Sequence, residues 1–579
     1  MSASDLAVTA GYQALVERQW ASGDYRFEGV FHSYHARVEH QCGHDSKSVL
    51  LCLGAHSSPS EKHLSGPWVE IALDQKTQQI HISRDPAGLM AAFFARTPNG
   101  YIISDSVPAM LAHEAVSRVV DIEALNEYWY LDFCIAPKTI WKDIRSVPNG
   151  HRVALPMTTE GEPVYEQFWM PGLAAREALP LSGKEAPAAI REVVLQDTQQ
   201  ITERATHGFV NLLSGGVDSS VVLAACHVLG RQPDHAITFK GIGDADESGL
   251  AALTARHLGI PLVVAQADSV DLVEDAYELV RTWAQPYAHG SVHAMQQILQ
   301  HVPEGRAVLT GDGGGEAFLG NPAPISPWRW IADPAFRSVN ALPPGLRRDM
   351  YRRLATRSFT ARALSYALEL KAARNEKERQ LRGGPITQWE MEAAISKDMQ
   401  RYFSKTRIGE RLNELALKSD LPGESLYARS LLFWWSSEGV YAKTWRLLDA
   451  KGVAGFGPLT SPRFFDTVKR IPMEERGQRK QALRDAFADV LPTEVLNAPK
   501  RGLRPLNREL LMEQADSGIS WIADGGSDAW DHLFDRDTVA AFWRAHRDGR
   551  VYRSNLLYKA IIFRAWCDVW KPVIEEPKV

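Results

Sequence analysis

The sequence predicts an α/β protein in two parts: a strand-rich N-terminal domain, then a doubly wound parallel sheet with a helical C-terminal extension. Two observations carry this. Residues 25–165 hold short apolar segments (GVFHSYHARV, WVEIALD, QQIHISRD, AAFFAR, GYIISD) separated by Gly, Pro, Asn and Asp turns, the pattern of successive short strands. Further on the pattern changes to GFVNLL, SSVVLAACHVL, HAITFK, ESGLAALTARHLG, PLVVAQ and RAVLTGDGGG. Strands alternating with helix-length segments imply a parallel sheet covered by helices on both faces, with ligands beyond the carboxyl ends of the strands.

Within the first part, DIEALNEYWYLDF reads as a helix, and TIWKDIRSVPNGHRVAL returns to strands around an Asn149-Gly150 turn. This part is assigned to residues 1–169. The polar, proline-containing piece from Met170 to Pro187 is the expected linker, and residues 188–579 form the second domain. From Trp328 to Glu378 the pattern is helical and rich in arginine (Arg347, Arg348, Arg352, Arg353, Arg357, Arg362). That cluster reads as a solvated helix face, with a docking surface for an acidic peptide as the alternative. The remaining chain reads as mainly helical, and core packing accounts for most of its tryptophans, Trp434, Trp435, Trp445, Trp543, Trp566 and Trp570 among them.

Composition narrows the function. A length of 579 residues with 45% hydrophobic content exceeds one ordinary core, and a formal charge of -5 offers no basic field to gather nucleic acid. The five cysteines, Cys42, Cys52, Cys134, Cys226 and Cys567, form no CxxC or Cys/His pattern, which fits reduced thiols better than disulfides or structural zinc. No basic segment followed by an apolar one opens the chain, and no stretch approaches the ~20 apolar residues of a membrane span. A cytoplasmic enzyme or scaffold is expected.

The chemistry concentrates at VNLLSGGVDSSVVLAAC, residues 210–226. A strand, a turn at Ser214, Gly215 and Gly216, and a helix from about Asp218 place free N–H groups and a positive helix end at one point, an anion site. Ser214, Ser219 and Ser220 can add hydroxyl donors, and Asp218 can hold magnesium. A bare glycine turn is equally a structural bend. The Walker lysine is absent, which disfavours simple phosphoryl transfer by that route. A second loop, LTGDGGGEAFLGNP at 309–322, repeats the strand, glycine turn and helix. In a parallel sheet it can lie beside the first, bringing Gly311, Gly313 and Asp312 to the same ligand. Asp312 is then the second metal candidate, with Glu316 as its alternative, although either can simply cap a helix.

These residues resemble the asparagine-synthetase superfamily, whose SGGxDSS pyrophosphatase motif is matched in full by residues 214–220. RDPAGLMAAFFA (84–95), ISDSVPAML, PKTIWKDIRSVPNGH, Asp246-Glu247, the second glycine loop, PLTSPRFFD (458–466) and LPTEVLNAPKRGL (491–503) continue the resemblance in order over nearly the whole chain. The resemblance implies a glutaminase-like sandwich domain of the Ntn type before an ATP-pyrophosphatase domain. It implies activation of a carboxylate by magnesium ATP, departure of pyrophosphate from the first loop, and capture of the acyl-adenylate by nitrogen. Lys500 falls where the resemblance implies a lysine that stabilises charge on the intermediate.

Three departures shape the expected substrate. The sequence begins Met-Ser-Ala-Ser and its first cysteine is Cys42, so glutamine hydrolysis by an N-terminal cysteine is not expected. Gly315 stands where the superfamily's metal-binding aspartate stands, and Ala454 replaces the glutamate of the later motif. The β-lactam synthetases pair a tyrosine with that glutamate, whereas this chain has Asp312 and Ala454. The lasso peptide cyclases are more similar, sharing the AFLGNP continuation and the loss of the glutamate.

The resemblance therefore implies a cyclase that adenylates an Asp or Glu side chain of a leader-cleaved precursor peptide and closes a macrolactam with the peptide's N-terminal amine. Its implied partners are the precursor, a leader peptidase and a leader-binding protein, without nucleic acid. The alternatives are an ammonia-dependent asparagine synthetase or other small-molecule amide ligase, and a peptide-binding scaffold without chemistry.

Overall fold

The structure is a computed structural model, and it describes residues 14–18, 27–31, 36–39, 48–54, 66–74, 76–98, 100–157, 161–172, 178–241, 246–266, 271–318, 327–355, 359–373, 386–416, 431–476, 480–499 and 507–575. Lys500, Arg357 and residues 319–322 lie outside them. The described strands are β1 (Ala14–Arg18), β2 (Phe27–Phe31), β3 (Ala36–Glu39), β4 (Ser48–Gly54), β5 (Trp68–Asp74), β6 (Gln79–Arg84), β7 (Phe93–Thr97) and β8 (Gly100–Ser104). They continue as β9 (Ile144–Ser146), β10 (His151–Pro156), β11 (Val164–Gln167), β12 (Phe209–Leu212), β13 (Ala236–Phe239), β14 (Leu262–Ala265), β15 (Ala307–Leu309) and β16 (Gly455–Phe456).

The first eleven strands make two sheets, ordered β1-β2-β8-β7-β9 and β11-β10-β6-β5-β4-β3. Alternation along β7 and β8 explains how they pack. Phe94, Tyr101 and Ile103 face Ile71, Ile80 and Ile82 of the other sheet in one core, which makes a sandwich. Phe93, Ala95 and Ile102 point the opposite way, into a larger core shared with Trp129 and with Phe563 and Trp566 of the helix Ser554–Trp570. One sheet is thus covered on both faces, and the second cover is supplied by the far end of the chain.

That junction is also hydrogen-bonded. The indoles of Trp141 and Trp566 both donate to the Ala284 carbonyl, at 2.8 and 2.9 Å. Val120 N–H donates to the Val573 carbonyl at 2.9 Å, and Val573 N–H to the Arg118 carbonyl at 2.8 Å.

The third sheet is all parallel in the order β14-β13-β12-β15-β16. Chain order runs outward from β12 to one edge through β13 and β14, then resumes at β15 on its other side. β12 and β15 therefore flank the topological switch point, where α/β sheets open a crevice at their carboxyl ends. Their register, Phe209 beside Ala307 and Asn211 beside Leu309, brings the two glycine loops out side by side.

Several details differ from the sequence expectation. The described ends of the segment read as linker are docked: Gly172 N–H donates to Asp466 Oδ1 at 3.0 Å, Leu181 is buried, and the next helix starts at Glu185. Most of the described arginine cluster is paired rather than solvated, although Arg353 is exposed as a solvated face would have it. Arg347 and Arg348 are buried, Arg347 binds Glu392 at 2.7 and 2.8 Å, Arg352 reaches the Ala393 carbonyl and Asp535, and Arg362 pairs with buried Glu390. Acidic side chains from later helices neutralise it. Trp445, Trp543 and Trp566 are core residues as expected, whereas Trp328 and Trp330 are 58% and 71% exposed. Among the described residues no helix is long and apolar enough to cross a membrane.

Candidate functional site

The first loop joins β12 to the helix Val217–Val228, whose N-cap is Gly216. Without a capping side chain at Gly216, the first-turn N–H groups remain for an anion. Ser214 and Ser219 organise the turn: Ser214 N–H donates to Ser219 Oγ at 3.0 Å, the two hydroxyls lie 3.0 Å apart, and Gly216 N–H donates to Ser214 Oγ at 3.2 Å. Ser220 is fully buried and its hydroxyl donates to the Gly216 carbonyl at 2.9 Å, so in this arrangement it braces the helix start. Gly215 is pressed on Glu247; a Cβ there would sit 2.7 Å from Glu247 Cβ.

The second loop is interlocked with the first. A Cβ on Gly311 would fall 2.5 Å from Ser219 N, and one on Gly314 would fall 2.6 Å from Asp218 Oδ1. Gly313 has φ 98° and lies against the Leu459 carbonyl, which excludes any side chain. The glycines therefore serve close approach between loops and towards whatever enters the crevice. Gly315 follows in the short helix Gly314–Ala317 with Glu316 beside it.

Both metal candidates carry a lysine. Lys480 Nζ binds both Asp218 oxygens, at 2.8 and 2.5 Å, and Lys443 Nζ lies 3.5 Å from Asp312 Oδ1. Lys480 holds this position from a left-handed backbone, φ 57° and ψ 42°, an uncommon conformation for a residue with a side chain and one that concentrates at functional sites. Sequence reasoning missed both lysines, since Lys480 lies 262 residues from its partner and no local pattern marks it.

Around the crevice, burial and then the carboxylates of Glu316, Asp312 and Asp218 raise the Tyr441 phenol well above its ordinary range. Burial and then Lys443 push His289 down to about 3, so its ring is neutral near pH 7. Ala454, by contrast, packs against the apolar core of the third sheet, and its carbonyl accepts from Val308 N–H at 2.8 Å.

The arrangement suits a magnesium nucleotide. The glycine cradle leaves no Cβ in the way, the helix start offers donors, and Asp312 Oδ2 is buried without a hydrogen bond. Among the described residues no group of three or more metal-binding side chains forms. Magnesium commonly rests on one or two carboxylates together with substrate phosphates and water, and Asp218 and Asp312 can supply such a pair.

Comparison with known proteins accords with this geometry. Residues 194–568 match the family described as Asparagine synthase, and residues 25–169 match the Glutamine amidotransferase domain. A protein of Mycobacterium bovis named "Putative asparagine synthetase (glutamine-hydrolyzing)" is 24% identical over 572 residues, covering 92% of this chain and 82% of its own. A Mycobacterium tuberculosis protein of the same name gives the same values. "Amidase chry2" of Gibberella zeae is 23% identical over 299 residues, covering 48% of this chain and 43% of its own.

Proposed function

We propose, from the premise that this chain belongs to the asparagine synthase family and is an ATP-dependent carbon–nitrogen ligase, that its product is a macrolactam of the lasso-peptide kind. The observation that carries this reading is Ala454. Just before β16 its partly buried methyl group packs against the core, where the resemblance places a glutamate in ligases of small amino acids. Loss of that glutamate sets the chain apart both from ligases of small amino acids and from the tyrosine–glutamate pair of the β-lactam synthetases, which leaves the lasso-peptide branch as the one the resemblance supports.

The residues divide the work in the following way. The first-turn N–H groups, Ser214 and Ser219 receive the pyrophosphate leaving group. Asp218 and Asp312 would hold magnesium, which supplies charge neutralisation between the phosphates when bound. Lys480, held at the loop by Asp218, supplies a fixed cation for the charge that builds as the substrate carboxylate attacks the α-phosphorus. Lys500, to which the sequence assigned this role, lies outside the described residues. The peptide amine then displaces AMP from the activated carbonyl, and holding amine and acyl group in one crevice removes most of the entropic barrier. Large exposed apolar side chains at Trp328, Trp330 and Ile331, a few residues past the second glycine loop, offer a surface for a threaded peptide.

The test is reconstitution. Purified protein, precursor peptide, leader peptidase, ATP and magnesium should yield AMP, pyrophosphate and a peptide lighter by one water. The mycobacterial relatives, named as glutamine-hydrolyzing asparagine synthetases, favour a second reading, asparagine synthesis from aspartate, here with ammonia in place of glutamine. AMP formation from those two substrates without any peptide would establish it in place of the first.

A further inference from the structure

We infer that Arg84 of the N-terminal domain is a positioning residue for the adenylation site, acting through Glu438 and the π-helix Leu431–Tyr441 on the Lys443–Asp312 pair. The inference rests on the crevice being the nucleotide site proposed above, but not on whether the N-terminal domain hydrolyses glutamine.

Arg84 is 2% exposed, and one of its hydrogen bonds leaves the N-terminal domain. Its guanidinium donates to the Met90, Val147 and Gly88 carbonyls, which fixes the turn after β6, and its Nη1 donates to Glu438 Oε1 at 2.8 Å. The other Glu438 oxygen accepts from Arg446 Nη2 at 2.9 Å. Arg446 in turn lies over the rings of Phe93 in β7 and Trp283 in the second domain. Burial opposes ionisation of Glu438, yet Arg84 and Arg446 hold its carboxyl below the ordinary value. Removing either arginine leaves a buried charge half-compensated.

The element that carries Glu438 is unusual. An eleven-residue π-helix is rare, and π segments concentrate at functional sites because they trade backbone hydrogen-bond quality for side-chain placement. From Trp435 to Gly439 this one is held by the N-terminal domain and by Tyr287. A Cβ on Gly88 would fall 2.2 Å from Ser437 Oγ, and one on Gly439 would fall 2.6 Å from Phe133 Cε1. Trp435 meets the Phe133 ring edge-on at 5.7 Å, and the Tyr287 hydroxyl donates to the Gly439 carbonyl. A pocket lined by Phe93, Phe133, Tyr287, Glu438 and Arg446 opens within the seam, and the ion pairs cross it alongside the shared apolar core.

The helix ends at Tyr441, beside the crevice carboxylates, and Lys443 follows on the α-helix Ala442–Ala450 that continues it. A shift of the π-helix along its axis would carry Lys443 away from Asp312. Arg84 fixes that shift from outside the ligase domain.

The test is a double-mutant cycle read by calorimetric binding of α,β-methylene ATP with magnesium to the full-length protein. Glu438→Gln keeps the shape and removes the charge that joins both Arg84 and Arg446 to the helix, and Arg84→Met, which removes the Arg84 link alone, must follow the same pattern. We expect each to change the dissociation constant by about threefold or more in the wild-type background and hardly at all once Lys443→Met is present, since coupled residues are non-additive by ~0.5–3 kcal/mol. A support role remote from the site would give equal effects in both backgrounds and would overturn the inference. If thermal scans show that Glu438→Gln unfolds, Glu438→Asp replaces it with the same two criteria. Failure of the wild type to bind the analogue at all would remove the nucleotide reading, and this inference with it.

Discussion

Lys480 and Asp218 form a two-pronged ion pair at the mouth of the first glycine loop, with both carboxylate oxygens within 2.8 Å of one ammonium. The pair joins the helix that opens the crevice to a chain segment far along the sequence, and it places a cation beside the first glycine loop.

Replacing Lys480 by Met should reduce ATP-dependent pyrophosphate release by about 10²–10³-fold, the range for loss of one donor to a developing anion. Lys480→Arg should retain part of the rate. Met keeps most of the volume of this 15% exposed side chain, so circular dichroism should show a folded protein and separate loss of chemistry from loss of fold.

Gly311→Ala tests the interlock of the two loops. A methyl group aimed at Ser219 N, 2.5 Å away, must push the loops apart, at a cost of about 1–3 kcal/mol for an overpacked site. Calorimetry should show weaker magnesium-nucleotide binding together with a lower melting temperature. Gly305→Ala, at a glycine with open space around its Cβ position but φ 73°, should affect stability and leave binding unchanged.

Glu127 gives the fold a pH dependence whose sign is opposite to that of a paired carboxylate. Burial, opposed by the Ile135 N–H, pushes it from 4.5 up to about 7. Between those values the folded chain holds a proton that the unfolded chain has released, so stability falls as pH rises through that window and levels off above it. Glu127→Gln keeps an acceptor for Ile135, should flatten the slope, and should raise stability at pH 8 by up to about 3 kcal/mol. Melting temperatures between pH 5 and pH 8 would show it.

Glu390 behaves the other way. It is fully buried between Arg362 and Arg553, at 3.0 and 2.8 Å. Burial would raise its carboxyl, but the two arginines hold it below the ordinary value, so its contribution is present above that value and lost as pH falls through the lowered one. Arg553→Met should cost about 3–5 kcal/mol in urea unfolding, and adding Glu390→Leu should recover much of it.

The sequence carried the strands and the loops because both are local. Period-two alternation in β7 and β8 and the strand-loop-helix spacing at 209–220 and 307–317 depend on neighbours within a few residues. Ion pairing does not. Arg347 meets Glu392, Arg84 meets Glu438 and Lys480 meets Asp218 across gaps that no periodicity spans. The arginine-rich segment consequently looked like a surface, and Lys480 looked like any lysine opening a helix. The π-helix was equally hidden, because LLFWWSSEGVY has the composition of an ordinary buried helix and only its partners select the wider turn.

The pairing of Val120 with Val573, and the carbonyl of Ala284 shared by Trp141 and Trp566, bear on how the protein is made. A ribosome releases the first sandwich long before the helix that covers its second face, so the nascent domain waits with an apolar sheet open to its surroundings. Chaperone dependence during synthesis, and aggregation of the first 169 residues expressed alone, follow from that order of emergence.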